Sequence, residues 1–300
     1  MKVIRTITAL RQEIQMLRTN QAGSAKEAVV GLVPTMGYLH QGHASLMKAA
    51  RKQTDIVVLS IFVNPIQFGP NEDFDSYPRD EARDVETARN EGVDIVFIPS
   101  VEEMYPQPTQ TTVSVSRITE RLCGASRPGH FDGVTTVVSK LFNIVQPQKA
   151  FFGMKDAQQV AVIEQMVNDL NMPVEIVPCP IVREEDGLAL SSRNVYLSSE
   201  LRKEALVLSQ ALRAVQEAVE AGKAVTAADV RRLLREHIGR SAEAVIDYAE
   251  IQAFPSLEPL HDQDELRTFD DLLVALAVKF GKTRLIDNIR IQHLEVLSHV

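Results

Sequence analysis

Asp55-Ile56-Val57-Val58-Leu59-Ser60-Ile61-Phe62-Val63 is apolar at four consecutive positions, Ile56 to Leu59, where a half-exposed strand would alternate. Such a strand has both faces covered, as in a parallel sheet sandwiched between helices. Outward from it, short β-branched runs recur at Val29 to Val33, Asp94 to Ile98, Lys149 to Phe152 and Val174 to Val177. They alternate with segments of helical period at about Ala44 to Gln53, Asp80 to Glu91, Gly133 to Val145 and Ala157 to Leu170. The pattern predicts a doubly wound α/β sheet, whose ligands bind beyond the carboxyl ends of the strands. The loops after Val33, Val63 and Phe152 are therefore where chemistry is expected.

After Pro178 and Pro180 the texture changes. Ser198 to Gly222 reads as one long amphipathic helix with a Ser N-cap region and a Gly stop, and a second helix runs from about Thr226 to His237. Strand-like runs at Ala244 to Ala253, Leu272 to Phe280 and Thr283 to Ile291 complete a smaller α+β unit. The expected division is residues 1–185 and 186–300, since one core stops growing near about 250 to 300 residues.

The chain of 300 residues carries 32 Lys+Arg against 40 Asp+Glu, a net charge of −8, and is 45% apolar, which excludes disordered and fibrous classes. The acid excess, without a long basic run, argues against a phosphate backbone as main partner, so no nucleic acid is expected. Cys123 and Cys179 form no CxxC, which indicates neither a disulfide framework nor a zinc site and suits a reducing cytoplasm. Met1 to Leu17 lacks the apolar core of a signal peptide, and no run of eighteen apolar residues occurs, so neither export nor a membrane span is expected.

Four clusters follow expected strands or the domain boundary. Pro34-Thr35-Met36-Gly37-Tyr38-Leu39-His40-Gln41-Gly42-His43 joins a strand to a helix, where free backbone N–H groups and the helix dipole form an anion site. His40 and His43, three apart, share one side of the first turn and can hydrogen-bond phosphate oxygens; a structural or metal-ligand pair is the alternative. Asn64 and Gln67 are neutral donor-acceptors suited to orienting a hydroxy acid, although Asn64-Pro65 also simply starts a turn. Lys155 sits at a strand end where it can reach an α-phosphate, with Gln159 one turn on and Asp156 as a helix cap. Ser191, Ser192 and Arg193 make a clamp for a polyphosphate leaving group, or a linker with a surface arginine. Arg127 can contact substrate or a partner subunit, Asp132 caps a helix, and His130 is structural. Asp80 and Asp84 can supply outer-shell metal oxygens, a solvated helix face being the plainer reading.

In their order and spacing, PTMGYLHQGH (34–43), NPIQFGPNEDFDSYPRD (64–80), RPGHFDGV (127–134), FFGMKDAQQ (151–159) and DGLALSSRN (186–194) resemble the pantothenate synthetase family. These ligases join pantoate to β-alanine and belong to the nucleotidyltransferases bearing the HIGH motif. The resemblance covers essentially the whole chain; HxGH alone would also admit class I aminoacyl-tRNA synthetases and cytidylyltransferases. It implies a Rossmann-like N-terminal domain, a smaller C-terminal lid and a homodimer. It implies further that Met36, Gly37, Tyr38, Leu39, His40, Gln41, Gly42 and His43 bind ATP, with His43 as proton donor and His40 on the phosphates. Gly153, Met154, Lys155 and Asp156, then Leu190, Ser191, Ser192 and Arg193, become further ATP contacts, and Val182 meets adenine through its backbone. The Met154 side chain carries no role. Gln67 and Gln159 orient pantoate, Gln67 also lies near β-alanine, and Asn64 assists. His43, His40, Lys155, Ser192 and Arg193 form the candidate catalytic set. Mg²⁺ is expected on the ATP phosphates, with no metal site built from side chains. The competing functions are a nucleotidyltransferase that makes a stable nucleotide adduct of a cofactor precursor, and a nucleotide-binding sensor without turnover.

Overall fold

The computed structural model describes residues 1–20, 28–70 and 72–292; Asn71, within the 64–80 segment quoted above, lies outside them. Six parallel strands, β1 (Lys2–Ile4), β2 (Val30–Thr35), β3 (Ile56–Ile61), β4 (Ile95–Phe97), β5 (Lys149–Gly153) and β6 (Glu175–Cys179), stand in the order β1-β4-β3-β2-β5-β6. All six residues of β3 are buried, as its unbroken apolar run requires. Alternate side chains serve opposite layers. Leu32, Val58, Ile95 and Phe152 pack with α1 (Ile7–Asn20) and later helices on one face, while Val33, Leu59, Val96 and Phe151 pack beneath α2 (Gln41–Gln53) on the other.

The chain winds from β2 outward through β3 and β4, by way of α3 (Glu81–Asn90), then returns to place β5 on the other side of β2. The strand order reverses between β2 and β5, and a ligand crevice opens at such a switch point. Short helices α4 (Val101–Met104) and α5 (Cys123–Ser126) precede α6 (His130–Val145), and α7 (Ala157–Asp169) follows β5. Neither β1 nor α1 was expected from the sequence: three residues of strand carry no periodic signal, and the helical spacing of Ile7, Leu10, Ile14 and Leu17 was missed.

The smaller C-terminal domain is an antiparallel sheet, β7 (Ala244–Ala253), β8 (Asp271–Phe280) and β9 (Thr283–Gln292), packed on two helices. The single helix expected over Ser198 to Gly222 is instead two, α8 (Ser199–Glu204), capped by the Ser198 side chain, and α9 (Val207–Glu220). Leu208 N–H bonds the Ala205 carbonyl three residues back, tightening the turn. α8 has no fully buried residue and leans on the core through Leu201, whereas α9 lays Leu208, Leu212 and Val215 on the sheet beside α10 (Ala227–Ile238). In β8, Leu272, Val274, Leu276 and Val278 face this core, while Leu273 and Ala275 join the core of the first sheet. No described helix is long and apolar enough to cross a membrane.

Candidate active site

β2 ends at Thr35, and the next residues turn through two left-handed conformations, Gly37 at φ 86° and Tyr38 at φ 51°. A Cβ at Gly37 would stand 2.9 Å from Ile61 Cγ2, so the turn needs glycine for both reasons. Four of the backbone donors expected to serve an anion here are engaged within the protein. Gly37 N–H donates to Thr35 Oγ1 (3.2 Å), Tyr38 and Leu39 N–H donate to the two oxygens of Asp84 (2.7 Å each), and Gly42 N–H donates to His40 Nδ1 (3.1 Å). Asp84 is 1% exposed, so it is not a solvated helix face, and its two oxygens clamp this loop. Asp80 caps α3 by accepting from Arg83 N–H.

The histidine side chains take over as donors. His43 Nδ1 accepts the His40 N–H at 3.3 Å, and His40 Nδ1 accepts the Gly42 N–H. With both Nδ1 atoms accepting, the neutral rings carry their protons on Nε2. Burial, the neighbouring ring and Lys155 lower His43 to about 3, and burial with Lys155 lowers His40 to about 4. Gly42 permits the arrangement: a Cβ there would lie 2.8 Å from His40 Cε1. These shifts set a pH dependence. The unfolded chain protonates such rings near pH 6.5 while the folded one resists to about pH 4, so stability should fall as pH drops through that window. NMR of the ligand-free protein should show both rings as Nε2–H tautomers that do not titrate between pH 5 and 8; a midpoint near 6.5 would contradict this geometry.

After β3, Asn64 leads a 3-10 turn, Pro65–Gln67, so the plain turn reading holds alongside a second purpose. The buried Asn64 amide donates to Gln67 Oε1 and to the Gly133 carbonyl, both 3.1 Å, and Tyr105 O–H donates to Asn64 Oδ1 at 2.8 Å. Asn64 thus fixes Gln67 rather than offering its own amide. His130, expected to be structural, is also engaged: its Nδ1 meets the Gln67 carbonyl at 2.8 Å and its Nε2 meets Arg127 Nη1 at 3.0 Å. Arg127 holds both oxygens of Glu72 at 2.6 Å. Asp132 makes no cap; it accepts from Ser114 O–H at 2.6 Å.

β5 passes through Gly153 into a 3-10 turn, Met154–Asp156, and then α7. Asp156 occupies the cap position of α7 without making a cap hydrogen bond, and pairs instead with Lys155 Nζ at 3.0 Å. The buried Asn288 of β9, which sequence reading missed, donates to the carbonyls of Met154 (2.8 Å) and Lys155 (2.9 Å). At the boundary, Leu190 N–H donates to the Val182 carbonyl at 3.0 Å, and Ser191 Oγ accepts from Arg193 N–H at 3.2 Å.

These segments meet around one cavity of about 220 Å³ at the β2–β5 switch point. Met36, His40, Gly42 and His43 line it with Asn64, Gln67, Gly153, Lys155, Asp156 and Gln159. Val182, Leu190, Ser191, Ser192 and Arg193 close it from the boundary segment. Gly37, Tyr38, Leu39, Gln41 and Met154 do not line it; Leu39 and Met154 are core residues. Arg127 lines a smaller adjoining cavity of about 70 Å³, which shares Lys155, Asp156, Gln159, Ser191 and Arg193 with the first.

A Rossmann-like sheet with HxGH, lysine and Ser-Ser-Arg groups gathered at its switch point defines an α/β enzyme of the nucleotide-dependent transferase and ligase class. A family model described as pantoate-beta-alanine ligase matches residues 2–290, and the chain belongs to that family. A pantothenate synthetase of Acetivibrio thermocellus is 56% identical over 292 residues, 97% of this chain and 100% of that protein. The solved pantothenate synthetase from Thermus thermophilus superposes with a TM-score of 0.86 at 47% identity, over 96% of this chain and 99% of that one. A pantoate-beta-alanine ligase from Francisella tularensis, solved with beta-gamma ATP and beta-alanine, gives a TM-score of 0.69 at 32% identity, over 96% and 97% of the two chains.

Proposed function

We propose that this chain condenses pantoate with β-alanine in two steps within the switch-point cavity. A pantoate carboxylate oxygen attacks the α-phosphorus of ATP, the bond to the β-phosphate oxygen breaks, and pyrophosphate leaves. The neutral amine of β-alanine then attacks the acyl carbon of pantoyl adenylate, the acyl C–O bond breaks, AMP leaves, and the amide nitrogen sheds one proton. The observation that carries this reading is the convergence of His40, His43, Lys155, Ser192 and Arg193 on the same cavity as Gln67 and Gln159.

No protein nucleophile is required, so positioning and charge stabilisation supply the acceleration. Lys155 meets the α-phosphate, Ser192 and Arg193 meet the departing pyrophosphate, and His40 and His43 donate from Nε2. The ligand-free protein holds His43 neutral, with its ring proton on Nε2 directed to donate to charge that builds on the phosphates. Gln67 and Gln159 orient pantoate. Asp156 is the one carboxylate among the cavity-lining residues, too few for a protein-built octahedral cage. That donor set fits Mg²⁺ that arrives on the phosphates with its own waters, with Asp156 as the available side-chain oxygen; the ion would neutralise phosphate charge.

The division at residues 185/186 is supported by the separate sheets, and the Arg183–Asp287 pair (2.6 and 2.8 Å) links the two units across it. In this reading the C-terminal unit acts as a lid, excluding water that would hydrolyse the adenylate. A cytoplasmic homodimer completes the assignment.

Mass spectrometry of reactions with ATP, Mg²⁺, pantoate and β-alanine, omitting each in turn, tests it. Amide product with AMP and pyrophosphate is expected. A stable nucleotide adduct, or binding without turnover, would sink the proposal. Gln67→Ala should raise the pantoate KM about tenfold, the worth of roughly one hydrogen bond to a charged group, with the ATP KM near wild type. A normal pantoate KM would remove Gln67 from that role.

A further inference from the structure

Glu72 and Asp73 are consecutive, and each holds an arginine from a distant part of the chain. The second pair adjoins the reaction site. Arg193 donates from Nε to Asp73 Oδ2 at 3.0 Å and from Nη2 to Asp73 Oδ1 at 2.9 Å, and its guanidinium stands 6.0 Å from the centre of the Tyr77 ring. Arg193 and Tyr77 both line the cavity, together with His40, His43 and Lys155.

The pairing is side-on. It consumes Nε and one hydrogen of Nη2, and among the described residues Nη1 has no hydrogen-bond partner. An arginine gives up rotamer freedom when it is fixed on a ligand. Here a carboxylate at its edge and a ring beneath it fix the fork before any ligand arrives. The pair is only partly buried, with side chains 31% and 25% exposed, so it adds little to folding. Its consequence falls on orientation.

We propose that Asp73 is a positioning residue that fixes the Arg193 fork so that Nη1 meets the polyphosphate leaving group in the first half-reaction. The inference rests on the reading of Arg193 as a polyphosphate contact. A fork left to wander by about 1 Å can cost about a hundredfold in rate.

Single-turnover pyrophosphate release is the test, measured for Asp73→Asn, Asp73→Glu, Arg193→Ala and Asp73→Asn/Arg193→Ala, with thermal midpoints and substrate KM values alongside. Asp73→Asn should slow release about tenfold to a hundredfold, through kcat rather than the pantoate KM and with a midpoint close to wild type. Asp73→Glu should recover part of the rate. The double variant should be no slower than Arg193→Ala, because the carboxylate acts through the arginine. Additive losses, or unchanged release in Asp73→Asn, would overturn the proposal; tighter ATP binding with unchanged release would make Asp73 a competitor for the fork instead. If Arg193→Ala itself releases pyrophosphate normally, the underlying reading of Arg193 fails. If Arg193→Ala is slow and Asp73→Asn is not, only the positioning role fails.

Discussion

Lys155→Ala should slow pyrophosphate release from ATP and pantoate by about a hundredfold to a thousandfold, the cost of removing one preorganised charge-stabilising group, while barely moving the unfolding midpoint. The Lys155 ammonium pairs with Asp156 at 3.0 Å, and both side chains keep contact with solvent, 21% and 45% exposed. Exposed pairs of this kind contribute about 0–1 kcal/mol to folding. The turn that presents Lys155 is held by other means, since Asn288 binds the Met154 and Lys155 carbonyls through the backbone and is untouched by the substitution. The side chain is therefore free to serve the ligand, and its loss should appear in chemistry.

The same variant has a second, independent signature. Lys155 helps to hold down both histidines, so its removal should let the His40 and His43 values rise from about 4 and about 3 toward the ordinary imidazole range. A variant with wild-type pyrophosphate release but raised histidine values would separate the two effects and take Lys155 out of the mechanism. Lys155→Arg is not expected to rescue, because a planar fork does not replace a compact ammonium on a turn.

The parts of this site that sequence made legible are those whose signal is local. Ile56 to Ile61 declares its buried parallel strand by composition alone, and 34–43 and 151–159 declare strand-to-helix junctions by their glycines. What stayed hidden depends on partners far away in the chain. Asp84 looks like an acidic residue on a helix face until folding brings it against Tyr38 and Leu39, 46 and 45 residues earlier. Asn288 lies 133 residues beyond the Lys155 carbonyl it holds. Asp73 and Arg193 are 120 residues apart. Each spacing carries no periodicity to read. The engagement of the Tyr38 and Leu39 donors stayed hidden for a related reason: the tight turn directs these N–H groups inward, where a buried carboxylate from α3 satisfies them. Likewise, amphipathic period alone could not reveal that α8 and α9 are separate, because the interruption is a local tightening of the turn, Leu206 N–H to the Lys203 carbonyl and Leu208 N–H to the Ala205 carbonyl, that leaves the apolar spacing intact.

Gly133→Ala should damage substrate binding from a position that touches no substrate. Gly133 lies in the first turns of α6, where the helix crosses the 3-10 turn carrying Gln67. A Cβ there would stand 2.5 Å from Gln67 Cα, 2.5 Å from the Ile66 carbonyl oxygen and 2.7 Å from Gln67 N, against an ordinary contact of 3.4 Å or more. All three are backbone atoms, so no rotamer change relieves the clash, and helix and turn must move apart. Alanine favours a helix over glycine by about 1 kcal/mol, but overpacking costs about 1–3 kcal/mol, and a backbone clash belongs at the upper end, giving a net loss near 2 kcal/mol. The displacement also strains the bond from the Asn64 amide to the Gly133 carbonyl, and with it the contact that fixes Gln67 Oε1. A shift of about 1 Å in an orienting side chain can cost about a hundredfold, so kcat/KM for pantoate should fall by that order while ATP binding, served by other loops, changes little. Denaturant unfolding and the two substrate KM values measured on one preparation decide the matter: a destabilised protein with wild-type pantoate kinetics would show that Gln67 does not take its position from α6.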